Sequence, residues 1–129
     1  MAAVQRVLLF QLAVGVLAGA AFLGLYFATR NPYAANAGWS VLAVLALSDR
    51  VMGKAPIDER DELVLDRSMM IGYRVFWFAL VIGCASVPFA VAPRQTVDVS
   101  LFTFIPMAGW CLLTLTRSTV GLVLHNRVA

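Results

Sequence analysis

The stretch VLLFQLAVGVLAGAAFLGLYFAT, Val7 to Thr29, holds 23 residues without a charge between Arg6 and Arg30. An α-helix rises about 1.5 Å per residue, so this run is long enough to cross the roughly 30 Å hydrocarbon core of a bilayer. A cleaved signal peptide, with Arg6 as its basic flank and Ala35-Asn36-Ala37 as the cleavage site, fits less well, because such apolar regions usually run about 7–15 residues. The first span is therefore read as an uncleaved helix.

The same pattern recurs along the chain. Eighteen uncharged residues separate Arg30 from Asp49, 19 separate Arg74 from Arg94, and 18 separate Asp98 from Arg117. They are too apolar for surface helices and lack the period-two alternation of membrane strands. The sequence thus predicts an all-α fold: a single integral membrane bundle of four transmembrane helices over about 4–28, 33–50, 58–92 and 99–122. The second is the shortest, because Asn31-Pro32 breaks the chain before it and Asn36 and Gly38 dilute its first turns. Composition agrees. Of 129 residues 61% are hydrophobic and 13% charged, with a mean hydropathy of +0.84, whereas soluble domains run near 25% charged. A soluble globular domain, a disordered chain and a disulfide scaffold are excluded.

Orientation follows from the basic residues. With the amino terminus in the cytoplasm, four crossings return the carboxyl terminus there. Arg6, Arg50, Lys54, Arg60, Arg67, Arg74, Arg117 and Arg127 then lie inside, and only Arg30 and Arg94 outside. Short loops rich in Lys and Arg resist translocation, so this asymmetry sets both termini cytoplasmic. The formal charge of +3 is mostly this topology signal; no basic stripe interleaved with aromatics points to nucleic acid.

Six of the seven acidic residues lie in the connector from Asp49 to Asp66. Asp58 can cap a helix, with Glu59, Asp61 and Glu62 following in the first turn, where free amide donors and the helix dipole favour anions. A long third helix is expected to start here, its first turns projecting from the membrane. The charges serve either as a solvated helix end or, with Asp58, Glu59, Arg60, Asp61 and Glu62 together, as a docking surface for a cytoplasmic protein.

The run Pro56-Ile57-Asp58-Glu59-Arg60-Asp61-Glu62 resembles the Asp-Glu-Arg-Asp/Glu box of small prokaryotic four-span membrane proteins, the predicted membrane protein family known as domain of unknown function 2178. Those proteins carry the box between their second and third spans. They more often continue into an isoleucine and a Lys-Ala pair, where this chain has Leu63-Val64 and Arg67-Ser68. The resemblance implies architecture only; the expected location is a prokaryotic cytoplasmic (inner) membrane. Some relatives sit beside small helix-turn-helix regulators, which by analogy suggests a regulatory partner.

Arg74 lies 19 residues before Pro93 and Arg117 19 after Asp98, so both reach a similar depth near the inner headgroup boundary, with Arg6 and Arg50 at similar levels. Long arginine side chains reach such a boundary at modest cost. The sharper reading is a basic pocket for membrane lipid, an anionic phospholipid headgroup in particular, formed by Arg74 and Arg117 first and by Arg50 and Arg6 around them.

No acidic residue lies within a span. Small four-span multidrug exporters couple transport to protons through a carboxylate in the first helix, where this chain offers only Gln11. Cys84 and Cys111 sit in apolar helices with no ligand-type neighbour, and the lone His125 is in the tail. No metal, haem, nucleotide or catalytic constellation is legible. No cofactor is expected, and the reading is a non-enzyme.

Gly15 and Gly19 give a GxxxG spacing, which lets helix backbones approach, either within the subunit or in a homo-oligomer. Pro88 and Pro106 are expected to bend the third and fourth helices. Trp39, Tyr26 and Tyr33 are assigned to an outer aromatic belt, Tyr73 and Trp77 to an inner one, and Trp110 to the packed core. The expected function is a non-catalytic membrane interaction module acting through its connector and inner arginines; the alternative is a small oligomeric transporter or channel component.

Overall fold

The computed structural model describes residues 2–54, 56–91 and 98–128. Helix α1 spans Ala3–Thr29, α2 Pro32–Asn36, a 3₁₀ helix Ala37–Leu47, α3 Ser48–Met52, α4 Glu59–Val91 and α5 Ser100–Val128. No strand occurs among the described residues. Three helices are long and apolar enough to cross a membrane, over Ala3–Thr29, Glu59–Val87 and Ser100–Arg127.

Local chemistry sets the helix ends. Arg30 adopts the left-handed conformation (φ 52°, ψ 21°) and donates its N–H to Tyr26 O at 2.7 Å, closing α1. Asn31 then accepts the Tyr33 N–H at 3.0 Å, and Pro32 supplies a first position with no N–H to satisfy. Gly53, at φ 70°, turns the chain after α3. Ahead of α4, the Asp58 carbonyl accepts the Glu62 N–H at 3.0 Å and its carboxylate faces the Arg60 N–H at 3.4 Å. Glu59, Asp61 and Glu62 occupy the first turn, as the sequence predicts. Asp98 accepts the Ser100 N–H at 3.0 Å and so caps α5. That last helix runs to Val128, beyond the expected end near 122.

Residues 32–52 depart most from expectation. They are helical throughout, but 11 of them form the 3₁₀ segment, and runs beyond 3–4 residues are uncommon. Eleven residues rise about 22 Å in 3₁₀ geometry and about 16 Å in an α-helix. The shortest of the four helical regions is therefore stretched by about a third over that segment.

The helices that pack on one another do so antiparallel. Leu8 meets Gly121 and Gly15 meets Leu115 between α1 and α5; Gly72 meets Leu113 and Phe76 meets Gly109 between α4 and α5. Gln11 reaches Ser48 at one end of the α1–3₁₀ pair, and Phe22 meets Gly38 towards the other. This register gathers the start of α1, the 49–67 connector and the end of α5 at one end of the molecule. Here His125 Nδ1 lies 3.8 Å from Asp61 Oδ1. At the opposite end the Tyr33 hydroxyl donates to Asp98 Oδ1 at 2.8 Å, and Asn36 Nδ2 donates to Ser100 O at 3.2 Å.

The core lies among α1, the 3₁₀ segment and α5, built on Ala18, Trp39, Leu42 and Cys111. Phe22 stacks on Trp39 with ring centres 4.8 Å apart and meets Phe104 at 5.2 Å. Trp39 is thus core, not belt, and gives its indole N–H to Asn36 Oδ1 at 3.3 Å. Trp110, expected in the core, is more than half exposed and faces a cleft. Gly38 makes the closest approach to another helix's backbone: a Cβ there would sit 2.6 Å from Phe22 N. Gly15 is likewise taken up by Leu115 of the same chain, while Gly19 has open space around it. Helix α4 packs mainly along α5 and leaves Trp77, Phe78, Val81 and Ile82 exposed. Arg94, and the side chain of Pro88, fall outside the described residues.

Candidate functional site

A cavity of about 290 Å³ lies towards the charged end, where α1, the 3₁₀–α3 junction, α4 and α5 converge. Its polar wall comes from Gln11, Ser48, Tyr73, Thr114 and Arg117. Gly72 makes this arrangement possible. A Cβ there would lie 3.1 Å from Leu113 Cδ1 and 3.4 Å from Arg117 Cβ, so the bare backbone lets α5 bring Arg117 against α4 beside Tyr73.

The hydrogen bonds leave the site incomplete. Ser48 gives its hydroxyl proton to Leu45 O at 2.7 Å, and Thr114 gives its own to Trp110 O at 2.9 Å. Gln11 Nε2 donates to Ser48 Oγ at 3.5 Å. Gln11 Oε1 and Arg117 Nε are both buried with no hydrogen-bond partner. With the amide turned over, Nε2 becomes the free donor, and Ser48 then turns its hydroxyl proton from Leu45 O to Gln11 Oε1. Buried polar atoms without partners cost about 1–3 kcal/mol each, more when charged. Two on one cavity wall describe a receptacle for a group that accepts from a guanidinium and also bonds to an amide.

Of the four arginines singled out in the sequence, only Arg117 lines this cavity. Arg6, Arg50 and Arg74 are exposed; Arg74 adjoins Tyr73 in sequence but does not line the cavity. In the connector, Asp58, Glu59, Arg60 and Glu62 are exposed, and Asp61 is half-buried opposite His125. That is the one ion pair among the described residues. Gln11, Ser48, Tyr73 and Trp110 were not read as site residues. The one signal for them was Gln11, an amide alone in an apolar span, which is costly in hydrocarbon unless it has a role.

The cysteines are both free. Cys111 is buried with Sγ 3.3 Å from Gly15 O, and Cys84 is exposed. No group of three His, Cys, Asp or Glu side chains among the described residues could hold a metal ion. At the other end, the Ser100 N–H and then the Tyr33 hydroxyl hold the Asp98 carboxyl below the usual carboxylate range.

Comparison with family models, with curated proteins and with solved structures gives no match in any of the three.

Proposed function

We propose that this chain is a non-catalytic integral membrane protein of four crossings, with both termini and the 49–67 connector on the cytoplasmic side of a prokaryotic inner membrane. It acts as an interaction module: an acidic headgroup from the inner leaflet docks at Arg117, and the carboxylate-dense connector meets a cytoplasmic protein. The observation that carries the reading is that Arg117 and Gln11 line one cavity and each holds a buried polar atom with no partner among the described residues. A guanidinium recessed among helices is the arrangement that binds phosphate-bearing headgroups.

Support for the fourth crossing comes from the 3₁₀ stretch of residues 37–47, whose longer rise offsets the shortness of the second apolar run. The eight-to-two distribution of basic residues supports the orientation. Native mass spectrometry of the detergent-extracted protein tests the headgroup. Acidic phospholipid is expected to stay bound to the wild type and to Arg74→Gln, and to be lost from Arg117→Gln. Equal retention by all three contradicts the reading.

A second reading is a small oligomeric transporter component. The 3₁₀ stretch within the second helical region favours it, because such a stretch inside a helix often marks a functional hinge. Potential- or substrate-dependent flux in proteoliposomes supports that reading; vesicles that stay tight count against it.

A further inference from the structure

The Arg117 cavity does not end at its polar wall. Leu45 and Trp110 also line a second, larger space of about 790 Å³ between the 3₁₀ segment and the outer half of α5. This groove is bordered by Trp39, Leu42, Ala43, Ala46, Pro106 and Met107. Two alanines on one wall and a proline on the other keep it wide. A polar cavity and an apolar trough thus adjoin at one tryptophan.

We infer that the ligand is an acidic amphiphile: its phosphate or carboxylate sits against Arg117 and Gln11, and its acyl chain lies in the groove between the 3₁₀ segment and α5. The inference rests on the proposed headgroup site and adds the chain. Three observations carry it. The cavities are neighbours with Leu45 and Trp110 in both linings, so a chain that passes Trp110 reaches from one to the other. From Arg117 back to Pro106, α5 runs about 16 Å, close to the roughly 15 Å of one hydrocarbon leaflet. Among the described residues the unpartnered buried side-chain atoms lie at the Arg117 end, which places the head there. A lipid merely coating the surface would keep its head in the interface and leave Gln11, nine-tenths buried, unsatisfied. A free inorganic anion would satisfy Arg117 but leave the trough to other lipids.

The test uses the full chain in a non-ionic detergent, with lysophosphatidylglycerols of 8 to 18 carbons as probes and inorganic phosphate and an 18-carbon lysophosphatidylcholine as comparators. Binding is read by native mass spectrometry and by thermal shift. Affinity of the wild type is expected to rise with chain length until the groove is full. Arg117→Gln and Ala43→Trp, which fills the groove from an exposed position, are each expected to weaken the 18-carbon acidic probe about tenfold or more. Loss with Arg117→Gln but not with Ala43→Trp, or affinity independent of chain length, overturns the chain site and leaves the headgroup reading standing. Loss with neither variant, or equal binding of the phosphatidylcholine probe, overturns both. The chain-length series needs no variant, so a misfolded Ala43→Trp does not rescue the idea.

Discussion

Gln11 and Arg117 line one cavity from two different helices, and each brings a buried polar atom that nothing among the described residues satisfies. Folding sequences generally avoid this, because removing such atoms from water costs more than their packing returns. Keeping two in one place is the pattern of a site that trades stability for binding.

That trade has a direct consequence. Gln11→Leu removes the unsatisfied amide at similar volume and loses only the long contact to Ser48. The apo protein is expected to unfold in detergent at an unchanged or higher temperature, a gain of up to about 1–2 kcal/mol. Stabilisation by added acidic lipid is expected to disappear. A clear loss of apo stability would show that the Gln11 amide is satisfied after all.

Gly38 and Gly19 predict opposite outcomes for the same substitution. A Cβ at Gly38 would lie 2.6 Å from Phe22 N and 2.8 Å from Ala21 C, both backbone atoms that cannot swing aside. Gly38→Ala is expected to cost about 1–3 kcal/mol of stability, measured by denaturation in mixed micelles. Gly19→Ala, with nothing within 4 Å, is expected to be neutral or slightly stabilising through helix propensity.

Asp98 gives the end opposite the connector a pH dependence. Its folded-state value lies below the ordinary carboxylate value of about 3.9, chiefly because the Ser100 N–H and then the Tyr33 hydroxyl bond to the charged form. Its stabilisation is therefore complete above that ordinary value and is lost as pH falls through Asp98's own, lower one. The difference in unfolding temperature between wild type and Asp98→Asn is expected to narrow on acidification from about pH 5 to pH 2. A gap that stays constant over that range contradicts the assignment.

The connector makes a separate prediction. Replacing Asp58, Glu59, Asp61 and Glu62 by the matching amides leaves every basic residue in place, so insertion and orientation are expected to be unchanged. The cap of α4 survives Asp58→Asn, since asparagine and aspartate are comparable in that position. Copurification of a cytoplasmic protein from crosslinked membranes is expected to vanish. If it persists, the carboxylates are only a solvated helix end.

Position along the helix axis was legible in the sequence and rotation was not. Charge-free intervals located α1, α4 and α5 to within a few residues at most of their ends, and Asp58 announced the start of α4 because capping is local chemistry. The lengths that place Arg74 and Arg117 at similar depth say nothing about which way each faces. A helix that is apolar all round carries no stripe to fix its azimuth, so Arg117 turns inward and Arg74 outward unannounced. Trp39 and Trp110 exchanged their expected places for the same reason. The 3₁₀ stretch was invisible because Ala37–Leu47 is rich in good α-helix formers. Nothing local asks for a tighter helix there, so the stretching belongs to packing against α1 and α5.

The account depends on residues 32–52 crossing the membrane, because only then do Arg117, Gln11 and the connector share the cytoplasmic side. Single cysteines at Thr29 and Ile57, in a chain with Cys84 and Cys111 replaced by alanine, flank that segment. An impermeant maleimide applied to intact bacteria is predicted to label Thr29→Cys at once and Ile57→Cys only after the cells are opened. Labelling of both in intact cells, or of neither, would contradict the crossing and with it the inner-leaflet site.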